Sequence, residues 1–600
     1  MPTAFSEPLA QPETRRSTSE GVLRTSLRVS TTTLSTGPVA GLNVRSYEGT
    51  VPGPTLRLWA GDRLELGEVG MIVGWPNTTN IHTHGLHVSP AGVADNIYRR
   101  VSPGESALYT YDLPADHYPG TFYYHPHFEG SSSVQVLGGM AGAIIVEDDP
   151  ASLPPTLASI LDLVLVLQEV NLESGKLRNY ASVSAISGSG LPLWKPPGGP
   201  VNGPGNPLRF IAANGQFQPE VQLHPGEAAR LRLIHAGAND HLHLRVYGPG
   251  PDTPGGEGGD GDSGPAACEA FTLARDGVYL AGGARPGLVS PGGGVVVSPG
   301  SRADVAVRCR SPGVYRLVSD DSDGVMGYLG EGTDLFRGER AARRLCSTHA
   351  CYFKAGVPWS VELPAGDGRL LADLMGEQVN RAASPFVFEF NQGGKVVRGD
   401  WAGGGGGARG RTTYTWYGVN GRPYHTDEVQ RSVPLGAVEE WQVVNQWLFG
   451  QCRDDMESRQ RRRDSDSDGQ EVEAVAEAAG AAAAAGAAAG GRDRGGGGCA
   501  TRVGPTDTGH PFHLHVNHFQ VVESSWGSEG PDWRVGDWRD TISVPAPGNV
   551  TIRWRADDFA GEAVAHCHIF GHSDTGMMIN FEVVEDAASA ESSLSANPPA

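Results

Sequence analysis

Histidine pairs of the form HxH occur five times among the 19 histidines: His82–His84, His125–His127, His241–His243, His513–His515 and His566–His568. On a β-strand alternate side chains point to one face, so each pair would present two imidazoles together. Four of the pairs lie in two groups near the ends of the chain. Two such strands facing two more would gather eight imidazoles, too many for one ion and enough for a cluster. Imidazole suits copper, zinc, iron or nickel, so companion residues must decide. Cys567 stands between His566 and His568, and its thiolate would therefore point to the opposite face. His572 and Met577 follow in the run HCHIFGHSDTGMM, and His510 opens HPFHLH. Two histidines, one cysteine and a weak axial methionine are the ligand set of a blue-copper electron-transfer site. One short peptide would then join that site to the cluster.

Four motifs carry a family resemblance: HTHGLH from His82, HPHFEG from His125, HPFHLH from His510 and HCHIFGHSDTGMM from His566. Together they resemble the three-domain multicopper oxidases, the group of laccases, spore-coat laccases and bilirubin oxidases, over about residues 45–585 apart from inserts. The resemblance implies four copper ions. His82 and His513 would hold the type 2 ion. His84, His125, His127, His515, His566 and His568 would hold the type 3 pair. His510, Cys567 and His572 would hold the type 1 ion, with Met577 axial. It also implies one-electron oxidation of a reductant coupled to four-electron reduction of dioxygen to water. A phenol or aromatic amine is the favoured reductant; the alternatives are a metallo-oxidase acting on Fe(II), Mn(II) or Cu(I), and a non-catalytic copper-binding cupredoxin. Cys567 and His572 would carry electrons, with entry at the ring edge of His572 or His510. Asp95 lies two residues from where relatives carry an acid beside the cluster, and is read either as a proton relay or as a loop cap. Where many relatives have Glu after the last type 1 histidine, this chain has Ser573 and then Asp574, which leaves the second proton path open.

The elements that must position these residues are legible as repeats. GTVPGPTLRLWAGDRLEL from Gly49, NGQFQPEVQLHPGEAARLRLIHAG from Asn214 and NGRPYHTDEVQRSVPLGAVEEWQVVNQ from Asn420 share one pattern of turn, alternating strand, turn and strand. They predict an all-β chain of three sandwich domains, which the resemblance makes cupredoxin-like Greek keys: 21–150 with cluster ligands, 158–365 as a spacer, and 385–586 with type 1 and cluster ligands. The 84 glycines and 43 prolines fit many short strands and turns, plus low-complexity inserts at 250–265, 401–411 and 453–500. The last insert is read as solvated, and the tail beyond Asp586 as disordered.

The formal charge of -21 argues against nucleic acid as a partner. No apolar run is long enough to span a membrane. A monomer is expected, with dioxygen and a small or metal-ion reductant as partners. The resemblance implies a secreted or periplasm-like location, although the first residues lack the apolar core of a signal peptide. Seven cysteines, an odd number, leave at least one thiol unpaired, and Cys567 is that thiol. His241–His243 reads as an ordinary strand pair, and His87 and His518 as neighbours of the site outside the ligand set. Met578 is the less favoured axial methionine, and Glu129 has no assigned role.

Overall fold

The computed structural model describes residues 7–36, 39–70, 78–173, 176–177, 208–224, 226–247, 268–288, 294–310, 315–319, 333–334, 361, 363, 373–377, 379, 386–398, 411–445 and 509–585. Their regular structure is almost wholly β-strand, arranged as three two-sheet sandwiches. In the first, a five-stranded sheet runs Thr14–Arg16, Thr55–Leu58, Gly142–Val146, Gly120–His125, His82–His84. A four-stranded sheet of Val39–Tyr47, Val22–Thr36, Arg63–Gly70 and Ser106–Asp112 faces it. Period-two alternation builds the core between them. Leu64 and Leu66 of one strand and Tyr109 and Tyr111 of its neighbour all point inward with Leu56 and Ile144.

The second sandwich is built on Leu161–Glu173, Ala228–His235, Arg302–Cys309 and Cys268–Arg275 in one sheet, with Leu242–Tyr247 central in the other. The disulfide Cys268–Cys309 ties two of these strands, and Cys567 is the free, buried cysteine among the described residues. The remaining four cysteines lie outside the described residues. The third sandwich sets a six-stranded sheet around Val438–Asn445 and Gly548–Arg555 against a five-stranded sheet ordered Val429–Pro434, Met578–Val584, Gly561–Cys567, His510–Leu514, Thr541–Val544. Trp441, Trp554, Phe512 and Phe581 fill the space between the sheets.

The three sequence repeats begin with the same turn. Glu48–Gly49, Asn214–Gly215 and Asn420–Gly421 each have both residues at positive φ. A bridge closes each turn: Tyr47 to Thr50, Ala213 to Gln216, and Val419 to Arg422. Two successive positive φ values are the tight hairpin that Asn-Gly favours. The turn residue also grips the first long strand of its own sandwich. Asn214 Oδ1 accepts Val166 N–H at 2.8 Å and Asn420 Oδ1 accepts Glu389 N–H at 2.9 Å, while Glu48 Oε1 does the same for Arg28. The inserts at 250–265 and 453–500, the tail beyond Asp586, and all of 401–411 except Arg411 lie outside the described residues. Among the described residues no helix is long and apolar enough to cross a membrane.

Candidate metal centre

Strand register brings the outer histidine pairs together. His82 stands opposite His125 on the adjoining antiparallel strand, and His513 stands opposite His566. The first and third sandwiches present these edges to each other. His84 and His513 stack at 3.8 Å between ring centroids, and His82 and His515 at 4.0 Å. The imidazole nitrogens then sort into two triads. His566 Nε2 lies 3.0 Å from His127 Nε2 and 3.2 Å from His515 Nε2. His84 Nδ1 lies 3.2 Å from His568 Nε2 and 3.5 Å from His125 Nε2. His82 and His513 complete the eight. Their Nε2 atoms are buried without a hydrogen-bond partner.

The chemistry of these donors calls for cations. His125 Nδ1 donates to the Pro126 carbonyl at 3.0 Å and His566 Nδ1 to the Cys567 carbonyl at 2.9 Å. Each Nε2 is therefore a bare lone pair aimed at another imidazole nitrogen, which repels unless positive charge sits between them. Protons do not supply it. Burial first, and then repulsion between imidazoles, holds His84, His125, His127, His513, His515 and His568 well below the ordinary histidine range. Burial also lowers His566 to about 4. A metal ion satisfies all of these donors, and neutral imidazole is the form that binds one.

A second centre sits on the other face of the Gly561–Cys567 strand. Cys567 points into the core of the third sandwich, away from His566. Its Sγ lies 3.3 Å from His510 Nδ1 and 3.6 Å from His572 Nδ1, and those nitrogens are 3.3 Å apart. Such a triangle fits bonds of about 2 Å to a central ion. Met577 packs in the same core, and its N–H donates to the His572 carbonyl at 3.0 Å. Met578 instead packs with Ile97, Tyr424 and Val564 on the other side, so Met577 is the methionine on the Cys567 side. His510 is fully buried and His572 half-buried, so of the two histidines only His572 has surface open to solvent. Tyr417 stacks on His572 at 4.1 Å. Burial lowers His572 to about 3 and pushes the Cys567 thiol up.

Asp95 accepts from His82 Nδ1 at 2.7 Å, from Thr83 N–H at 2.8 Å and from the Thr83 hydroxyl at 3.1 Å. It thus both caps its loop and orients a cluster histidine. Asp574 is not beside the cluster nitrogens. It crosses to the first sandwich and accepts from Gly130 N–H at 3.1 Å and Ser133 N–H at 2.7 Å, at the start of the Ser132–Leu137 helix. Burial pushes it up to about 7 against those donors. Burial also raises Glu129.

His241 differs from the ordinary strand pair expected of it. It bonds Ser298 Oγ at 3.0 Å and the Gly509 carbonyl at 2.9 Å, one residue before His510, so it joins the second sandwich to the third. His87 bonds the Val516 carbonyl at 3.1 Å and Asp558 at 3.2 Å, and His518 bonds the Asp276 carbonyl at 2.8 Å. Both bridge sandwiches rather than offering a free nitrogen to the cluster.

Sequence reasoning missed Asp540. Its carboxylate lies 3.2 Å from His84 Nε2, and its carbonyl accepts from His513 Nδ1 at 2.9 Å. An acid–base dipeptide, Arg539–Asp540, beside the apolar strand Thr541–Val544 was the available signal.

Paired two-sheet sandwiches carry a two-histidine, one-cysteine site on the back of a histidine cluster, a donor set that suits copper. The comparisons agree with this donor set. Residues 29–151 and 501–587 each match a family model described as multicopper oxidase. Over those two stretches the chain is similar to multicopper oxidases. It is 26% identical to a multicopper oxidase of Staphylococcus aureus over 204 residues, 34% of this chain and 40% of the relative's length. It is 45% identical to a laccase of Trametes hirsuta over 85 residues, 14% of this chain and 16% of that one. The chain thus spans well under half the length of these curated relatives. In fold it is similar to the multicopper oxidase from Campylobacter jejuni described as a metallo-oxidase, with a TM-score of 0.60 and 20% identity over 97% of this chain and 96% of that one. The multicopper oxidase McoA of Aquifex aeolicus gives 0.59 at 18% identity, over 97% of this chain and all of its own.

Proposed function

We propose that this protein is a copper-dependent oxidase that couples one-electron oxidation of a small reductant to four-electron reduction of dioxygen to water. A phenol or aromatic amine is the reductant class first favoured. The observation that carries the reading is the tripeptide His566–Cys567–His568. Its cysteine faces one metal centre while its histidines face the other.

His510, Cys567 and His572 would hold the type 1 copper with Met577 axial. His82 and His513 would hold the type 2 copper, and the two histidine triads would hold the type 3 pair. When bound, copper supplies the one-electron steps and the dioxygen chemistry, which side chains cannot provide. The protein's part is placement. The Cys567 backbone links the two centres within one residue. The half-buried edge of His572 offers a reductant a contact within a bond or two of the first centre. Asp95 holds the proton of His82 on Nδ1, which leaves Nε2 free to bind metal. As a carboxylate that shares this proton, it is also the group read as a proton relay.

Oxygen uptake by copper-loaded protein, with a simple phenol and separately with Fe(II), tests the reading. Fast uptake with the phenol is the expected result. Uptake with Fe(II) alone would move the reading to a metallo-oxidase. A full complement of four coppers without uptake from either would overturn the choice of reductant, and a chain that binds no copper would overturn the whole reading.

A further inference from the structure

Among the described residues the second sandwich contributes no imidazole to either centre, yet one of its side chains reaches the cluster. Arg302 is fully buried where the three sandwiches meet. Its Nε donates to the Thr121 carbonyl of the first sandwich at 3.2 Å. Its Nη1 donates to Asp540 Oδ1 of the third at 2.7 Å, and its Nη2 to Asp540 Oδ2. The planar guanidinium thus grips both carboxylate oxygens, which fixes their plane as well as their position. Asp540 Oδ1 in turn lies 3.2 Å from His84 Nε2. A carboxylate on the far nitrogen of an imidazole sets its tautomer and tilt.

Two further features point the same way. Asp276, from the second sandwich, accepts from Arg302 N–H at 2.8 Å and from Arg539 Nε at 2.6 Å. Arg302 and Asp276 of the second sandwich and Arg539 and Asp540 of the third therefore form a neutral quartet, with no member more than 1% exposed. Unpaired, any one of them would be a costly buried charge, so the quartet holds together as a unit. Gly85, directly after His84, leaves the room this requires. A Cβ there would lie 2.3 Å from Arg302 Nη2 and 2.6 Å from Asp540 Oδ2. The absence of a side chain after the second histidine of HTHG is what lets the arginine–aspartate pair press against the cluster.

We propose that Arg302 is a positioning residue for the histidine cluster, holding the Asp540 carboxylate so that His84 keeps Nδ1 turned toward His125 and His568. The inference rests on the copper reading above. It makes the second sandwich part of the metal centre rather than a spacer.

The test uses the full copper-loaded chain and the variants Arg302→Gln, Arg302→Lys and Arg285→Gln. Arg285 pairs with Asp537 across the same two sandwiches and touches no cluster histidine, so it controls for a weakened interface. Copper per chain, the electron paramagnetic resonance signal of the cluster copper and the blue absorbance of the Cys567 site are read together. Arg302→Gln is expected to weaken cluster copper binding about 10–100-fold while the blue absorbance persists. Arg302→Lys should fall between it and wild type, because lysine keeps the charge but not the fork. Arg285→Gln should match wild type. Normal copper content and an unchanged resonance signal in both Arg302 variants would overturn the proposal, as would equal copper loss in Arg285→Gln. Should Arg302→Gln fail to fold, Arg302→Lys decides by the same two readings. Wild-type protein that binds no cluster copper would defeat the copper reading itself, a result distinct from normal wild-type copper with unaffected variants.

Discussion

Cys567 shows how one residue commits the site. Burial pushes its thiol up, and a bound cation would displace that proton to give the thiolate. Serine at this position keeps the size and loses the soft ligand. Cys567→Ser is expected to fold, to show no blue absorbance and to oxidise no phenol; normal turnover in that variant would refute the electron path. Glu68 is a second buried acid, far from this chemistry in sequence. Burial raises it from the ordinary 4.5 to about 8, so the folded chain holds a proton that the unfolded chain has released. Its contribution to stability is fully present below about pH 4.5 and is lost as the pH rises through about 8. Glu68→Gln should remove this dependence, and unfolding free energies from urea titrations at pH 5 and pH 8 should then fall closer together than in wild type, by on the order of a few kcal/mol. The clustering of the paired histidines was legible at the residue scale because strand alternation makes spacing equal to facing. Asp540 and Arg302 were not, because they meet across 238 residues of chain, and no local spacing records such a pair.

At the scale of elements, the repeated turn is the most predictable device in the molecule. Asn-Gly favours the tight hairpin by its tolerance of positive φ, and the same asparagine then locks an adjacent strand. Asn214 makes side-chain bonds to Val166 N–H and to the Val164 and Ala10 carbonyls. Asn214→Ala leaves the Val166 N–H without its partner and should cost about 1–3 kcal/mol, read from chemical denaturation with copper content unchanged. An unchanged midpoint would mean that water replaces the asparagine. The three openings were visible in the sequence for this reason: turn chemistry is local. Sheet order was not, since Leu161–Glu173 pairs in parallel with Ala228–His235 and Val22–Thr36 with Arg63–Gly70 by contacts that no short window contains. The role of Asp574 was hidden for a like cause. It stands next to a run of metal-binding residues but serves a helix of another sandwich.

A metal centre at the proposed site would join the whole molecule as much as its interfaces do. The triads draw on the first and third sandwiches, and the arginine–aspartate quartet on the second and third. Bound metal should therefore stabilise the assembly of sandwiches, by roughly 4 kcal/mol if free copper stands a thousandfold above its dissociation constant. Chelation is expected to lower the thermal midpoint and to separate the unfolding of the sandwiches into distinct steps. A calorimetric scan that is identical with and without copper would show that the interfaces alone suffice. The sequence made the outer sandwiches readable as metal carriers, while the middle one read as a spacer because its contribution is an arginine and a close-packed glycine. Gly300 of that sandwich lies so near His568 that a Cβ there would come within 2.7 Å of the ring.

On the proposed reading, the half-buried His572 bears on the range of compounds that could serve as electron donors. Every other side chain proposed to hold copper is buried within the protein, like a conductor in its sheath, and the sheath is thin at the one imidazole flanked by Tyr417. A donor need not be swallowed or shaped to a cavity; it need only touch that stripped end with a suitable potential. Selection at such a terminal works by voltage and brief contact, so unrelated molecules of similar oxidisability are interchangeable there, and bulk matters only where it keeps a donor from reaching the edge.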